Sequence, residues 1–469
     1  MPSPVISVAQ MREWEKASWA RGRHEEEVIR RVGRALVATA LRLTKPTEFI
    51  LLLAGRGNNG ADVRATLELF DDRRLDILEV KDPAADLAEL QTLLAIRPAL
   101  VIDGLFGIGM NRPLDAAWQH FIQTLNDALL PVLSADVPSG LNADTGEPFG
   151  AAVQATVTLT VGAPKAGLLK QSAWRYVGRL EVAHDVGMVE DFWNGHPAET
   201  WWTLPADFTD FPPVRPVAGH KGSFGHVGIV AGSRGCHGAA VLATRGAQRA
   251  QPGLVTLLAE EAVYLPIAAQ LQAAMVHPWE PKQKLPATFS ALLIGPGLAA
   301  PAEAERLKSF TREMWKTWPG PLVVDASALD WLEPAAFPAG AVRVLTPHPG
   351  EAARLLGVTA EQIQADRPAA VRAISKRFGG CLVVLKGHQT LIGGEFGAIF
   401  VNSSGNPLLA QGGSGDLLAG LLTGLLAQPA LQREVLRTVR YAVWRHGAAA
   451  DALTATKPNW VVEDLAAAC

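Results

Sequence analysis

The sequence predicts an α/β protein of two domains, each built around a mostly parallel sheet. Two observations lead to this prediction. Short apolar runs that end in Gly or Asp turns alternate with helix-length segments, which is typical of buried parallel strands joined by helices. One proline-rich stretch interrupts this alternation near the middle of the chain. With 469 residues, of which 48% are hydrophobic, the chain is long enough for at least two cores at ~100–200 residues per domain.

In the first half, apolar residues at three- and four-residue spacing predict a helix over Val28–Ala40. The apolar runs that follow it predict strands at Phe49–Ala54, Ala99–Ile102, Leu130–Leu133 and Ala155–Val161. From Leu204 to Pro216 the chain contains four prolines and no periodicity, which predicts a linker. We therefore expect domains at residues 1–204 and 219–469, joined by a linker at 205–218.

The same alternation returns in the second half. Helical patterns cover Ala239–Ala250 and Asp416–Ala427. Apolar runs predict further strands at Val227–Val230, Leu254–Leu258, Ala291–Ile294, Leu322–Val324, Val342–Leu345, Leu382–Leu385 and Ala398–Val401. Ligands of such sheets bind beyond the carboxyl ends of the strands, so the polar and glycine-rich turns there are the candidate sites.

Charge and composition exclude several classes of function. The 43 Lys and Arg residues against 46 Asp and Glu residues leave a net charge of −3, without the basic field of a general nucleic-acid binder. No apolar run approaches the ~18 residues that span a bilayer, and the charged N-terminus does not resemble a signal peptide. The three cysteines share no metal-ligand spacing and cannot build a disulfide scaffold. We expect a cytoplasmic enzyme that associates with neither nucleic acid nor a membrane.

Three turns of the first domain carry polar side chains at strand ends. Asn58, Asn59 and Asp62 follow the strand at 49–54, while Asp103 ends the next strand. Asp136 and Ser139 follow the third. Each turn alone has an ordinary interpretation, because Gly, Asn, Asp and Ser are common turn formers. Together at one sheet edge, their oxygen atoms suit a hard cation, and a free carboxylate there could transfer a proton.

The second domain has a glycine-rich segment, Gln411–Asp416, in front of an apolar helix. Backbone NH groups at such a helix start bind phosphoryl oxygens, and Asp416 could accept a proton from a hydroxyl that attacks a phosphoryl group. The alternative is a glycine turn with a capping Asp. Further polar or glycine-rich strand ends support a site: Lys386–Thr390, Thr346–Glu351, Gly295–Gly297 and Asp325.

The first-domain motifs GRGNNGAD (55–62), DGLFGIGMNRPL (103–114), ADVPSGLNADTG (135–146) and VGAPKAGLL (161–169) resemble the epimerase domain of NAD(P)H-hydrate repair enzymes. The resemblance implies a Rossmann-like three-layer α/β/α domain that interconverts the R and S epimers of hydrated NADH and NADPH (NADHX and NADPHX) and binds K⁺. It implies K⁺ ligands Asn59, Asp103 and Ser139, and Asp136 as the catalytic acid or base. It also implies substrate contacts from Asn58, Asn59, Gly60, Ala61, Asp62, Gly107, Ile108, Gly109, Met110, Asn111, Arg112, Pro113 and Asp136.

The second-domain motifs HKGSFG (220–225), GPGL (295–298), TPHPGE (346–351), KGHQT (386–390) and NPLLAQGGSGD (406–416) resemble the ADP-dependent NAD(P)H-hydrate dehydratases, which are ribokinase-like. The resemblance implies ADP as phosphoryl donor, Mg²⁺ as its companion, and homo-oligomers. It places the hydrated dinucleotide at Ala239, Gly297, His348 and the catalytic Asp416. It places the nucleotide at Lys386, Gly387, His388, Gln389, Thr390, Asn406, Gly412, Gly413, Ser414 and Gly415.

The resulting prediction is a bifunctional repair enzyme whose first domain epimerises NADHX and NADPHX. The second domain would dehydrate the S epimer to NAD(P)H, with release of AMP and phosphate. One alternative is a ribokinase-like kinase for a vitamin precursor. Another takes the first domain as a catalytically inactive binding or assembly module, because Ala61 and Val63 depart from the family's usual glycines at this turn.

Overall fold

The computed structural model describes residues 2–195, 198–280 and 284–469. Ser3–Trp202 and Thr203–Cys469 each form a compact unit. The boundary between them lies two residues before the predicted end of the first domain at residue 204. No helix in the described part of the chain combines the length and apolar character needed to cross a membrane.

The first unit contains a parallel sheet with the strand order β3-β2-β4-β5-β6-β7. Its strands are β2 (Phe49–Ala54), β3 (Arg74–Glu79), β4 (Leu100–Gly104), β5 (Val132–Ala135), β6 (Val157–Val161) and β7 (Arg179–Ala183). A short antiparallel pair, β1 (Ser3–Pro4) and β8 (Thr200–Trp202), lies apart from this sheet. The helices of the unit are α1 (Val8–Ala20), α2 (Glu25–Leu43), α3 (Asn58–Arg64), α4 (Leu87–Ala95), α5 (Ala116–Asp127) and α6 (Trp174–Val177).

Two clusters of apolar residues cover the two faces of this sheet, as expected for a three-layer domain in which helices pack on both faces. Ile50 and Leu52 of β2 belong to a cluster that includes Leu36 of α2. Their neighbours Leu51 and Leu53 belong to a second cluster with helices α4 and α5. Alternate side chains of a strand point to opposite faces, so a strand buried on both faces must be apolar throughout. This explains the uninterrupted apolar run of β2 and confirms the predicted α/β class.

The second unit contains a mixed sheet in which the strands follow the order β17-β16-β15-β14-β13-β12-β9-β10-β11. The strands from β15 to β11 run parallel, whereas β16 and β17 are antiparallel to their neighbours. The strand bounds are β9 (His226–Val230), β10 (Leu254–Ala259), β11 (Met275–Pro278), β12 (Ala291–Ile294), β13 (Leu322–Val324), β14 (Arg343–Leu345), β15 (Leu382–Leu385), β16 (Leu391–Gly393) and β17 (Ile399–Val401).

The helices of this unit include a closely packed pair, α7 and α13. Their bounds and those of the others are α7 (His237–Arg249), α8 (Glu261–Ala268), α9 (Ala304–Thr317), α10 (Pro349–Leu356), α11 (Ala360–Ala365), α12 (Arg367–Arg377), α13 (Ser414–Leu426), α14 (Val435–Thr456) and α15 (Val462–Ala468). A Cβ atom built on Gly246 would lie 2.2 Å from the Leu417 carbonyl oxygen, and one on Gly420 would lie 1.9 Å from that of Ala243. The two helix backbones therefore touch, which only glycine at these positions permits.

The segment predicted as a linker at 205–218 is packed on the second unit over its first part. Phe208 and Phe211 are buried and pack edge-to-face against Tyr441 of α14. Arg437 donates hydrogen bonds to the backbone oxygen of Asp207, and Arg440 pairs with its carboxylate. Val214 and Val217, farther along, are fully exposed. The later residues of this stretch are thus more exposed than the first ones, although Arg215 donates hydrogen bonds to the Gln251 backbone oxygen and the Gln428 side chain.

Candidate active sites

The first candidate site is a cavity of about 640 Å³ at the carboxyl ends of β2, β4 and β5. The three strands are neighbours and parallel, so the polar turns that follow them meet at one edge. The predicted residues that line the cavity are Asn58, Asn59, Asp62, Gly107, Ile108, Gly109, Met110, Asn111, Arg112 and Asp136. Helices α1 and α2 contribute acidic side chains, Glu15 and Glu25. Gly60, Ala61 and Pro113 do not line it in the described structure.

Asp136 is buried and held by a lysine. The Lys165 Nζ atom donates to Asp136 Oδ1 (2.6 Å), to Thr160 Oγ1 (3.1 Å) and to the Val161 backbone oxygen (2.8 Å). The ammonium group is itself wholly buried, and these three acceptors use all of its protons. Asp136 Oδ1 also accepts from the Val161 backbone NH (3.1 Å). One carboxylate oxygen is thus occupied by donors, which fixes the orientation of the other.

Lys165 was not among the predicted site residues. It stands in the quoted motif VGAPKAGLL, but a lone lysine in sequence is usually solvated. Its role follows from the parallel pairing of β5 and β6, which puts the turn after β6 next to Asp136. The signal that could have identified Lys165 is the apolar character of the residues around it in the sequence. A lysine buried among apolar residues needs an anionic partner, because its charge is costly to bury alone.

Asp103, Ser139 and Asn59 form a second buried group, of which Asn59 lines the cavity. The Asp103 carboxylate accepts hydrogen bonds from Ser139 Oγ (2.6 Å), Ser139 NH (2.9 Å) and Ser134 Oγ (2.8 Å). The Asn59 side-chain NH₂ donates to the backbone oxygens of Phe106 and Ala135, both at 2.8 Å. The Asn59 amide oxygen therefore faces away from these carbonyls. The structure thus brings all three predicted K⁺ ligands together.

Asp103 is wholly buried and has no cationic side chain beside it among the described residues. Burial raises the pKa of its carboxyl group, although the surrounding hydrogen bonds oppose this shift. A buried carboxylate without a positive partner is costly. Hydroxyl, amide and carbonyl oxygens beside a carboxylate are the donor set of a hard cation. The residues present therefore fit a K⁺ ion.

The second candidate site surrounds the start of α13. The Lys386 Nζ atom lies 2.8 Å from Asp325 Oδ1 and 3.9 Å from Glu351 Oε2. Asp325 also accepts a hydrogen bond from Thr346 Oγ1 (2.7 Å). Burial opposes the charge of Lys386, but the nearby carboxylates of Asp325, Glu351 and Asp416 outweigh it and raise its pKa. Three acidic groups thus surround one ammonium group.

The glycine-rich segment before α13 has a left-handed turn and lies close to Lys386. Gly413 has a φ of +96°, a left-handed conformation that favours glycine. A Cβ atom at Gly415 would lie 3.3 Å from Lys386 Nζ, so the lysine reaches over the loop. The first NH groups of a helix have no acceptor within it and attract anions. The Lys386 ammonium group and the first NH groups of α13 therefore lie close together.

Asp416 lies in the first turn of α13 and is partly exposed at this place. Burial and the negative charges of Asp325 and Glu351 raise its pKa to about 7, while Lys386 opposes the shift. A general base works best when its pKa lies near the pH at which it operates. The carboxyl group is therefore suited to accept a proton from a hydroxyl.

The predicted nucleotide segment 386–390 is held from behind by Arg367 of α12. The Arg367 guanidinium donates to the backbone oxygens of Leu385 (3.2 Å), Lys386 (3.3 Å) and Gln389 (3.3 Å), and also to that of His388. It is buried, and burial lowers its pKa to about 10. This residue was missed because its contacts are to backbone atoms, which no side-chain motif records. It fixes the loop that carries His388, Gln389 and Thr390.

The other predicted residues of this site are placed as follows. Gly297 has a φ of +65°, and a Cβ atom there would lie 2.9 Å from the Ala239 Cβ atom, so these two predicted residues are in contact. His348 caps α10 and accepts from the backbone NH of Gly350 (3.0 Å). Asn406 directs its amide at Asp451 (2.9 Å) and Thr454 (3.1 Å) of α14. Its side chain therefore anchors the loop that precedes Gly412.

Two family models match the chain. The model described as NAD(P)H-hydrate dehydratase matches residues 227–467, and the model described as the N-terminus of YjeF-related proteins matches residues 61–167. Among solved structures, a ribokinase-like superfamily protein from Enterococcus faecalis is similar, with 26% sequence identity and a TM-score of 0.50. That similarity covers 58% of this chain and 94% of the other. The ribokinase-like fold expected for the second half is thereby confirmed.

Curated relatives match almost the whole length. The bifunctional NAD(P)H-hydrate repair enzyme Nnr of Coxiella burnetii is 33% identical, covering 94% of this chain and 93% of the relative. The enzyme of the same name from Gloeobacter violaceus is 35% identical, covering 96% and 94%. Each of these relatives thus matches both halves of the chain in the same order. The chain belongs to the family of bifunctional NAD(P)H-hydrate repair enzymes.

Proposed function

We propose that the first unit interconverts the R and S epimers of NADHX and NADPHX, and that the second dehydrates the S epimer with ADP. The observation that carries the second activity is the position of Asp416 beside Lys386 at the glycine-rich start of α13. This arrangement brings a proton acceptor and a phosphoryl-binding site together. The names of the relatives supply the substrate class.

In the second unit, Asp416 takes the proton from the hydroxyl at C6 of the hydrated ring. The hydroxyl oxygen then bonds to the terminal phosphorus of ADP, and the bond from that phosphorus to the bridging oxygen breaks, which releases AMP. The NH groups of Gly412–Gly415 and Lys386 stabilise the charge that develops on the phosphoryl oxygens. Phosphate then leaves C6, driven by the ring-nitrogen lone pair. Loss of a proton from C5 restores the dihydropyridine.

Magnesium is expected with the nucleotide. Among the described residues, no cluster of three or more His, Cys, Asp and Glu side chains is arranged to hold a metal ion alone. Mg²⁺ commonly uses one or two carboxylates together with substrate phosphates. Asp325, Glu351 and Asp416 supply the excess negative charge that would accommodate it. When bound, the ion would neutralise phosphate charge.

In the first unit, we propose Asp136 as the group that accepts the proton of the C6 hydroxyl, because Lys165 fixes its orientation at the cavity. We propose K⁺ at Asn59, Asp103 and Ser139, where it would balance the buried carboxylate and stiffen the turns after β2, β4 and β5. Asn58 and the turn at 107–112 line the same cavity and would bind the dinucleotide.

The direct test of this function is to incubate the full chain with a mixture of R and S epimers of NADHX, ADP and Mg²⁺. We expect the absorbance of reduced nicotinamide to return completely, because the first unit supplies S epimer as the second consumes it. AMP and phosphate should appear in amounts equal to the NADH formed. A stable phosphorylated product would instead favour the vitamin-precursor kinase.

Two further arms of this assay separate the activities. Recovery that stops at the S fraction would contradict the epimerase and favour an inactive first unit. Replacing K⁺ by choline should slow the conversion of the R epimer while the S epimer is dehydrated at an unchanged rate. Equal slowing of both phases would argue against K⁺ at Asn59, Asp103 and Ser139.

The dehydration rate should depend on pH through Asp416. The group must be a carboxylate to accept the hydroxyl proton, so kcat/KM for the S epimer should rise with pH through about 7, where the pKa of Asp416 lies. The measurement is kcat/KM against pH with S-NADHX at saturating ADP. A profile that falls across this range would contradict Asp416 as the base.

A further inference from the structure

Asp62 is a second buried carboxyl group in the cavity of the first unit, and the geometry distinguishes it from Asp136. It lies on α3, is 7% exposed, and lines the same cavity. Among the described residues, no side-chain hydrogen bond or ion pair reaches it, whereas Asp136 has its Lys165. A buried polar group without a partner that faces a cavity is one that meets a ligand.

The burial of Asp62 and the acidic groups around it favour the protonated form of its carboxyl group. Burial is the largest cause, and the negative charges of Asp136 and Glu25 add to it, so that the pKa of Asp62 is raised well above its usual value. The charged groups that line the cavity from the surrounding elements are Arg12, Glu15, Glu25, Arg56, Lys81, Arg112 and Asp136. The acidic side chains among them are Glu15 on α1, Glu25 on α2 and Asp136 after β5. Each opposes ionisation of the carboxyl groups that it faces.

Asp62 and Asp136 therefore differ in their partners within one cavity. Lys165 pairs with Asp136, and nothing comparable pairs with Asp62 in the described residues. Two carboxyl groups whose environments differ in this way form an acid and a base. An epimerisation at a carbon that bears a hydroxyl group and a ring nitrogen needs both.

We propose that Asp62 is a second catalytic residue of the epimerase, the general acid that works with Asp136 as general base. This inference rests on the proposed function. Asp136 takes the proton of the C6 hydroxyl, the C6–O bond becomes a carbonyl, and the C6–N1 bond breaks. Its electron pair goes to N1, which receives the proton of Asp62. Rotation about the C5–C6 bond and reversal of both transfers closes the ring with the opposite configuration.

The test uses the full chain with Asp62→Asn and Asp62→Glu, starting from purified R-NADHX without ADP and separating the epimers by chromatography. Asn retains the size and a donor NH but has no proton to transfer. We expect Asp62→Asn to lower kcat for epimerisation by a factor on the order of 10²–10⁴ with little change in KM. Asp62→Glu should retain part of the activity.

Two readouts keep this inference falsifiable. In the wild type, kcat should fall at alkaline pH as Asp62 loses its proton, and this decline should be absent from the residual rate of Asp62→Asn. Dehydration of S-NADHX by the same preparations should be unaffected, and hydrogen exchange of the peptides spanning β2 and α3 should match the wild type, which shows that the first unit is folded. An Asp62→Asn protein with normal kcat and a raised KM would overturn the inference and leave a binding role. A wild type unable to interconvert the epimers would overturn the epimerase itself.

Discussion

Asp416→Asn is expected to reduce dehydration of S-NADHX by a factor on the order of 10³, within the range typical for loss of a general base. The amide matches the carboxylate in size, so it preserves the start of α13, but it cannot accept the hydroxyl proton. Binding of ADP should persist, because Lys386 and the NH groups of the loop remain. The measurement is single-turnover formation of NADH with ADP and Mg²⁺, together with ADP affinity by calorimetry.

A matched control for this substitution is Glu463→Gln. Glu463 is an exposed acidic residue in the first turn of α15, and its replacement removes the same charge from a helix start in the same unit. We expect normal dehydration from it. Near-normal turnover by Asp416→Asn would show that another group accepts the proton.

The second large effect is expected from Asp136→Asn. Epimerisation should be lost, and the first unit should be destabilised, because Lys165 would remain buried without its carboxylate. Removing one partner of a buried ion pair costs about 3–5 kcal/mol. Hydrogen exchange of the peptides spanning β5, β6 and β7 in the full chain would measure the loss of protection.

A double-mutant cycle separates the chemical role of the pair from its structural role. Lys165→Met alone should also destabilise the unit, since it leaves Asp136 buried without a cation. The double variant Asp136→Asn/Lys165→Met should recover much of the stability, because no buried charge remains. It should still be inactive as an epimerase. Additive loss of stability in the double variant would mean that the two side chains are not coupled.

The sequence predicted most of the buried strands, although it missed β16, and it missed the partly exposed edge strands β3 and β11. Phe49–Ala54, Ala291–Ile294 and Leu382–Leu385 are strands with the predicted bounds, because burial on both faces requires uninterrupted apolar runs. By contrast, β3 lies at an edge of its sheet and contains Arg74, Asp76 and Glu79. One face of such a strand is exposed, so its pattern is weak. β11, at another edge, was missed for the same reason.

The candidate sites were predictable where strand ends carry their own polar residues. The parallel sheet brings Asn59, Asp103 and Ser139 together, as expected from its topology. Lys165 and Arg367 were not predicted, because they act from outside the glycine-rich turns, and Arg367 donates hydrogen bonds to backbone oxygens, which no side-chain motif records. The different environments of Asp62 and Asp136 depend on burial and on neighbouring charges, which arise only when distant segments assemble.

The contact of α7 with α13 through Gly246 and Gly420 has a consequence for how this enzyme could change its substrate. Ala239 stands near the start of one helix, and the phosphate loop opens the other. At Gly246 and Gly420 no side chain separates the two helix backbones. There is therefore no side chain at this contact that could be exchanged for a longer or shorter one to change the distance between the helices. With the proposed phosphoryl donor at the start of α13 and the proposed acceptor near Ala239, the distance between donor and acceptor would be set by the packing of these two helices, and a new acceptor would have to be accommodated by the surrounding turns.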